Sequence, residues 1–300
     1  MSDATIVITT RNRRDELRTA LASATQQRGA DIEVFVLDDG STDGTGDMVR
    51  AEFPEVRVER SDANAGLIVA RNLAARRALG DIIVSIDDDA EFSDPETVAR
   101  TLDAFAHPRV GAVAMPHIHT RIAPDDERDR APDATGLWCT WTYIGTAHAL
   151  RRELFNALGG YREEFHTRNE EPDLCLRMLG RGYVCRLGNT PPVLHHESPT
   201  RDRPAVHRMA ARNELVEAWR NAPRTALPGR FAAVVGNSLR IAAEVHQPRA
   251  VAEGLAQGIG VIARDRRREP LDARTYRAAR ILMRERVVPL ERIEPLLPRL

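Results

Sequence analysis

At 300 residues and 42% hydrophobic composition, the chain can bury a sizeable core as one large domain or two small ones. Its formal net charge of −1 hides an asymmetry: residues 1–200 carry 23 Arg against 33 acidic residues (net −10), and residues 201–300 carry 20 Arg against 11 (net +9). The sequence contains no Lys, which excludes Walker P-loop NTPases, protein kinases and pyridoxal enzymes, each of which needs a lysine for its chemistry.

No segment approaches the roughly 18–20 apolar residues of a membrane span, and Ala4 to Thr9 reads as a strand where a leader peptide would be apolar and helical. A cytoplasmic protein is expected. Cys139, Cys175 and Cys185 show no CxxC spacing, so they predict reduced core thiols in place of a disulfide framework or a structural zinc site.

In chain order, the β-branched run Ala4 to Thr9 predicts a buried strand, followed by a polar turn and a helix from Asp15 to Gln27 with Leu17, Ala20, Leu21 and Ala24 on one face. The pattern repeats: strand Ile32 to Leu37, helix Asp43 to Glu52, strand Val56 to Glu59, helix Leu67 to Leu79, strand Ile82 to Ile86. This alternation predicts an α/β, Rossmann-like, mostly parallel sheet flanked by helices, with ligands beyond the carboxyl ends of its strands. Next come a helix from Pro95 to Phe105, a strand Val110 to Met115, and a polar loop from Pro124 to Thr135, the segment expected to be most flexible. Trp138 to Ile144, a helix Arg152 to Leu158 and a helix beginning at Pro172 follow. Beyond residue 200 the sequence is helical and Arg-rich. The expected organisation is one domain over 1–200, in two parts (1–115 and 116–200), and a C-terminal helical extension over 201–300.

Two strands end in aspartates, Asp38-Asp39 and Asp87-Asp88-Asp89. Three adjacent carboxylates repel one another until a hard divalent ion or a ligand's donors neutralise them. Asp87 and Asp89 fall on one side of an extended segment and Asp88 on the other, an arrangement that suits one Mg²⁺ or Mn²⁺ bridged to a diphosphate. Asp39 can accept the imide N–H of a uracil or thymine ring, whereas Ser41 to Asp43 suit a helix cap.

Taken together, Thr9-Thr10-Arg11-Asn12-Arg13, Leu37 to Thr45, Asn64-Ala65-Gly66 with Ala70-Arg71-Asn72, and Asp87-Asp88-Asp89 resemble the successive signatures of family 2 glycosyltransferases of the GT-A fold. Gly145-Thr146-Ala147, Gly159-Gly160-Tyr161, Glu170-Glu171-Pro172-Asp173 with Arg177, and His195-His196 are similar to the acceptor half of that family. The resemblance implies an inverting enzyme, rhamnosyltransferase-like and of the cell-envelope type, that uses a nucleotide-diphospho-sugar donor with Mn²⁺ or Mg²⁺. It assigns nucleotide-sugar binding to Thr10, Arg11, Arg13, Asp39, Asn64, Gly66, Arg71, Asp87 and Asp88, and metal binding to Asp89 with His196 or its neighbour His195. Gly145 and Glu170 would face the acceptor, with Trp138, Trp141 or Tyr143 stacking on a sugar ring. The base, normally the first Asp of Glu-Asp-x-Asp, falls on Glu171, one methylene longer, and Asp173 is the fallback.

Three rivals remain. A sugar nucleotidyltransferase would carry a Gly-rich loop after its first strand, a glycosidase would need no metal cluster, and a catalytically degenerate sugar-nucleotide-binding module draws only on the Glu-for-Asp change. No nucleic-acid partner is expected. The basic C-terminal hundred residues fit packing on the catalytic domain, a homodimer surface, or peripheral contact with the inner face of a membrane carrying a lipid-linked acceptor.

Overall fold

A computed structural model describes residues 2–62, 64–197, 203–265 and 267–300. The first half is built as β1 (Ala4–Thr10), α1 (Arg14–Ala24), β2 (Ile32–Asp38), α2 (Thr45–Glu52), β3 (Arg57–Arg60), α3 (Leu67–Arg77), β4 (Ile82–Ile86), β5 (Ala90–Phe92), α4 (Thr97–Asp103) and β6 (Val110–Ala114). Then come β7 (His117–His119), β8 (Ala123–Arg128), β9 (Trp138–Thr140), β10 (Ala147–Arg151), α5 (Arg152–Ala157), α6 (Glu170–Leu179), β11 (Val184–Leu187) and β12 (Val193–His195). The C-terminal part holds α7 (Arg203–Asn221), α8 (Leu227–Glu244), α9 (Pro248–Arg264), α10 (Ala273–Glu285), β13 (Val288–Pro289) and α11 (Leu290–Ile293).

The main sheet has the order β13-β9-β11-β6-β10-β4-β1-β2-β3. Its first-half strands β3, β2, β1 and β4 are parallel, as the βα alternation requires, and β10 enters antiparallel between β4 and β6. Side chains alternate between the two faces. Ile6 and Ile8 of β1 pack with Leu17, Leu21 and Val49 under α1 and α2, while Val7 packs with Ile68 and Ala74 under α3. Both faces are therefore buried, which is why these strands read as continuous apolar runs.

A second sheet, β5-β12-β7-β8, was not legible in the sequence. Its strands β5, β7 and β12 are three residues each, too short for a periodic signal. The structure refines the sequence reading at four points. The polar loop Pro124 to Thr135 is in part β8, paired with β7. The aromatic segment Trp138 to Ile144 contributes the short strand β9. The helix expected from Pro172 starts at Glu170, so both glutamates lie in its first turn, where the helix dipole favours them. The domain boundary at residue 200 falls outside the described residues, but the C-terminal part returns to the catalytic sheet: β13 pairs with β9, and Val288, Tyr276 and Ile293 share a core with Leu176 of α6.

Candidate active site

The parallel strands end along one edge of the sheet and open into a crevice of about 1100 Å³. Thr10 closes β1 and Asp87 to Asp89 follow β4 at that edge, and His195, which closes β12 of the second sheet, borders the same crevice, so residues far apart in sequence meet there. Thr10 Oγ1 donates to Asp88 Oδ2 at 2.8 Å. Arg13 reaches over from the turn after β1, pairing with Asp88 and, at 3.0 Å, with Asp89 Oδ2. Burial pushes the Asp88 carboxyl up to about 6, against the pull of Arg13. Burial acts the same way on Asp89, but there His195 and Arg13 prevail and hold the carboxyl well below the usual range.

His195 Nε2 stands 3.2 Å from Asp89 Oδ1 and finds no well-formed hydrogen bond among the described residues, although it is buried. Ligand atoms of Asp87, Asp89 and His195 lie within 4.8 Å of one another. This donor set of two carboxylates and an imidazole, one nitrogen of it unsatisfied, fits a divalent ion such as Mn²⁺. His196 does not join it: its ring nitrogens face Glu91 Oε1 and Thr120 Oγ1, each at 3.0 Å, because its neighbour His195 turns the other way on β12. Of the two histidines expected as alternatives, His195 is the one whose donor atom lies near those of Asp87 and Asp89.

Arg71 is buried between the acidic groups. Its Nη2 pairs with Asp87 Oδ1 at 2.6 Å, and its Nη1 lies 3.7 Å from Glu170 Oε1 and 3.9 Å from Glu171 Oε1. It was expected to hold the nucleoside; here it joins the aspartates to the glutamates. Gly145 makes room for it, since a Cβ at that position would come within 2.6 Å of the guanidinium. Burial, with Glu170 alongside, pushes the Glu171 carboxyl up to about 8, while Arg71 opposes the shift. The Glu170 carboxyl is raised by burial as well, and its Oε2 has no hydrogen-bond partner among the described residues.

Arg11, Asn64 and Trp141 line the crevice as expected positions would, and so does Asp39. Both Asp39 oxygens already accept backbone N–H groups, from Ala65 and Gly66, at 2.9 Å each. Asp39 thus shapes the Asn64 to Gly66 loop, and each oxygen keeps a second lone pair for a ligand. Two expectations do not fit. Asp173 is fully buried, with Oδ2 taken by Arg177 and Oδ1 by Asn221, each at 2.8 Å, so it cannot reach a substrate as reserve base. Trp138 lies on β9, between β13 and β11, with its indole donating to Asp133 Oδ2, and does not border the crevice, whereas Tyr143 borders it but is buried with its hydroxyl against that of Tyr161.

Several residues around the site had no role assigned from the sequence. His119 and Glu197 stand beside His195. Val206, His207 and Ala210 of α7 and Ile241 of α8 form a further wall of the crevice. Asn213 of α7 donates to the carbonyls of Phe165, Thr167 and Arg168, at 2.8–2.9 Å, in the loop before α6. The alternation His117-x-His119 and the adjacent Arg212-Asn213 pair were the available signals; helix docking left none.

A family model, glycosyl transferase family 2, matches residues 5–162. This chain belongs to that family. The family 2 chain is 26% identical over 228 residues to the O-antigen biosynthesis protein RfbC of Myxococcus xanthus, a match covering 67% of this chain but 18% of the relative's length. It is 24% identical over 238 residues to an N-acetylglucosaminyl-diphospho-decaprenol L-rhamnosyltransferase of Mycobacterium tuberculosis, over 65% of this chain and 76% of the relative. Among solved structures, the mannosyltransferase PcManGT of Pyrobaculum calidifontis, in complex with GDP-Man and Mn²⁺, superimposes with a TM-score of 0.58 at 24% identity, over 88% of this chain and 76% of that one. S. aureus TarS in complex with UDP-GlcNAc gives 0.65 at 14% identity, over 98% and 90%. These likenesses bear on the fold, which is the GT-A fold that the sequence motifs led us to expect.

Proposed function

We propose that this family 2 protein is an inverting glycosyltransferase that moves a sugar from a UDP- or dTDP-linked donor to an acceptor hydroxyl in cell-envelope glycoconjugate synthesis. The observation that carries the reading is Glu171: its carboxylate lies in the same crevice as Asp87, Asp89 and His195, joined to them through the buried Arg71. The O-antigen and rhamnosyltransferase relatives support the cell-envelope setting, and the Mn²⁺ in PcManGT supports a metal.

In this reading Asp87, Asp89 and His195 hold Mn²⁺ or Mg²⁺, which when bound neutralises the diphosphate leaving group. Arg11, Arg13 and Thr10 line the donor end, Asp39 and the Asn64 to Gly66 loop border the base, and Asp88 faces the ribose. The acceptor enters over Trp141 and Gly145, with Glu170 beside it. Glu171 takes the proton of the acceptor hydroxyl as that oxygen attacks the anomeric carbon, and the nucleoside diphosphate leaves with both bonding electrons. One displacement suffices, with no covalent enzyme intermediate. Because the base form is the carboxylate, kcat/KM should rise with pH towards a plateau above about 8.

Glu171→Gln tests the assignment. The variant should lose transfer by roughly 10²–10⁴-fold yet keep a Mn²⁺-dependent thermal stabilisation by UDP or dTDP, about 2.7 kcal/mol at 100 times Kd. Near wild-type turnover would sink the base assignment. Absence of any nucleotide shift in the folded wild type would instead favour the degenerate binding module.

A lipid-linked acceptor is part of the proposal, with peripheral membrane contact through α8 and α9. Leu239 and Ile259 are 61% and 62% exposed in the basic C-terminal third of the chain. No helix among the described residues is long and apolar enough to cross a membrane.

A further inference from the structure

We propose that His119, His195 and Glu197 form a second cation site, suited to a borderline ion such as Zn²⁺, that shares His195 with the aspartate site. Strand register brings the histidines together: β7 and β12 run parallel with His119 opposite His195, and their Nδ1 atoms are 3.1 Å apart. Glu197, two residues beyond β12, places Oε1 3.4 Å from His119 Nδ1. All three donors lie within 4.8 Å of one another. Neighbouring ligands on a tetrahedral zinc, with bonds of about 2.0–2.2 Å, stand roughly 3.3–3.6 Å apart.

A second observation is independent of that spacing. Glu197 Oε2 is buried without a hydrogen-bond partner among the described residues, and Oε1 has as its neighbour a nitrogen already engaged with His195. A carboxylate so placed needs a cation. His117, its ring edge-on to His119 with centroids 5.0 Å apart, walls the site on one side. Two imidazoles and one carboxylate suit zinc better than the oxygen-rich set of Asp87 and Asp89, which suits Mg²⁺ or Mn²⁺.

The two sites compete through one imidazole. A neutral histidine has a single ring lone pair. Ligation through Nε2, on the side of Asp89, requires the proton on Nδ1, where His119 can accept it. Ligation through Nδ1 moves the proton to Nε2, which then faces Asp89 Oδ1 at 3.2 Å. Zinc at the histidine pair therefore withdraws His195 from the aspartate site. Inhibition of transfer by zinc rests on the function proposed above; the zinc site itself does not.

Metal-free protein titrated with Zn²⁺ by calorimetry, and with Co²⁺ followed by its visible d–d bands, tests the site. One Zn²⁺ should bind, with a tetrahedral cobalt spectrum. Its affinity should fall about tenfold or more in Glu197→Gln and in His119→Phe and persist in Asp87→Asn, each shown to be folded by circular dichroism. No binding by the folded wild type, or undiminished binding by both Glu197→Gln and His119→Phe, overturns the site; so does loss in Asp87→Asn with retention in Glu197→Gln, which puts the ion among the aspartates. Mn²⁺ affinity by electron paramagnetic resonance should weaken about tenfold under saturating Zn²⁺ in the wild type, and an unchanged value overturns the exclusion. A chain that binds zinc as described but transfers no sugar leaves the site standing and rejects the function.

Discussion

The Glu171 carboxyl holds its proton more tightly in the folded chain than an ordinary glutamate does, and this bears on stability as well as on its proposed role as base. A carboxylate whose folded pKa is raised penalises folding once pH exceeds its unfolded value near 4.3, and the penalty grows until pH passes the folded value of about 8. Glu171→Gln removes that penalty. Its Tm should match the wild type near pH 4 and exceed it by at least a few degrees at pH 8.5, because each 1 kcal/mol moves Tm by roughly 2–4 °C in domains of about 150–250 residues. Equal Tm values at both ends would show that the carboxyl titrates normally. Gly145 supplies a second test at this scale. Gly145→Ala would drive a methyl group against the Arg71 guanidinium, so transfer and Tm should both fall, and a variant with wild-type kcat would show that Arg71 moves aside freely. The sequence marked Gly145 as acceptor-facing, but only the fold shows that its missing side chain makes room for a buried arginine.

At the scale of elements, the loop between α5 and α6 delivers Glu171 and is held from outside the catalytic half. His166, Arg168 and Asn169 all have positive φ, a conformation costly to residues with side chains. The loop keeps it because fully buried Asn213 of α7 donates to three of its carbonyls, while Asn72 of α3 exchanges hydrogen bonds with the backbone of Tyr161 just upstream. Asn213→Ala should lower stability by about 1–3 kcal/mol in urea unfolding and cut kcat more than donor KM. A variant that loses stability but keeps kcat would confine Asn213 to a structural role. The strands and helices of the first half were legible because each is amphipathic or continuously apolar over several residues. The second sheet was not, because short strands are stabilised by partners that sequence does not bring adjacent. Helix α6 likewise begins two residues before the proline that marked it.

Over the whole molecule, charge is divided along the chain, with a net of +9 over residues 201–300, while α8 and α9 leave apolar residues such as Leu239 and Ile259 in solvent. Basic charge combined with exposed apolar side chains suits an anionic lipid surface. Co-sedimentation with anionic vesicles at low salt should be detectable, fall as salt is raised, and weaken in Leu239→Glu/Ile259→Glu. No binding at low salt would discard the membrane contact. The same region is also part of the catalytic body: α7 and α8 wall the crevice, and β13 extends the main sheet.

The sequence by itself determined the βα alternation, the strand ends that carry the aspartates, and the motifs that mark family 2, because each depends on neighbours a few residues apart. Tertiary structure alone decided which histidine faces Asp89, that Asp173 is sealed behind Arg177 and Asn221, and that Arg71 links the aspartates to Glu171. The physical reason is range. Backbone pattern is set by local sterics and periodic burial, whereas the direction of a charged side chain is set by whichever counter-charge, donor or cavity the fold brings to it from elsewhere in the chain.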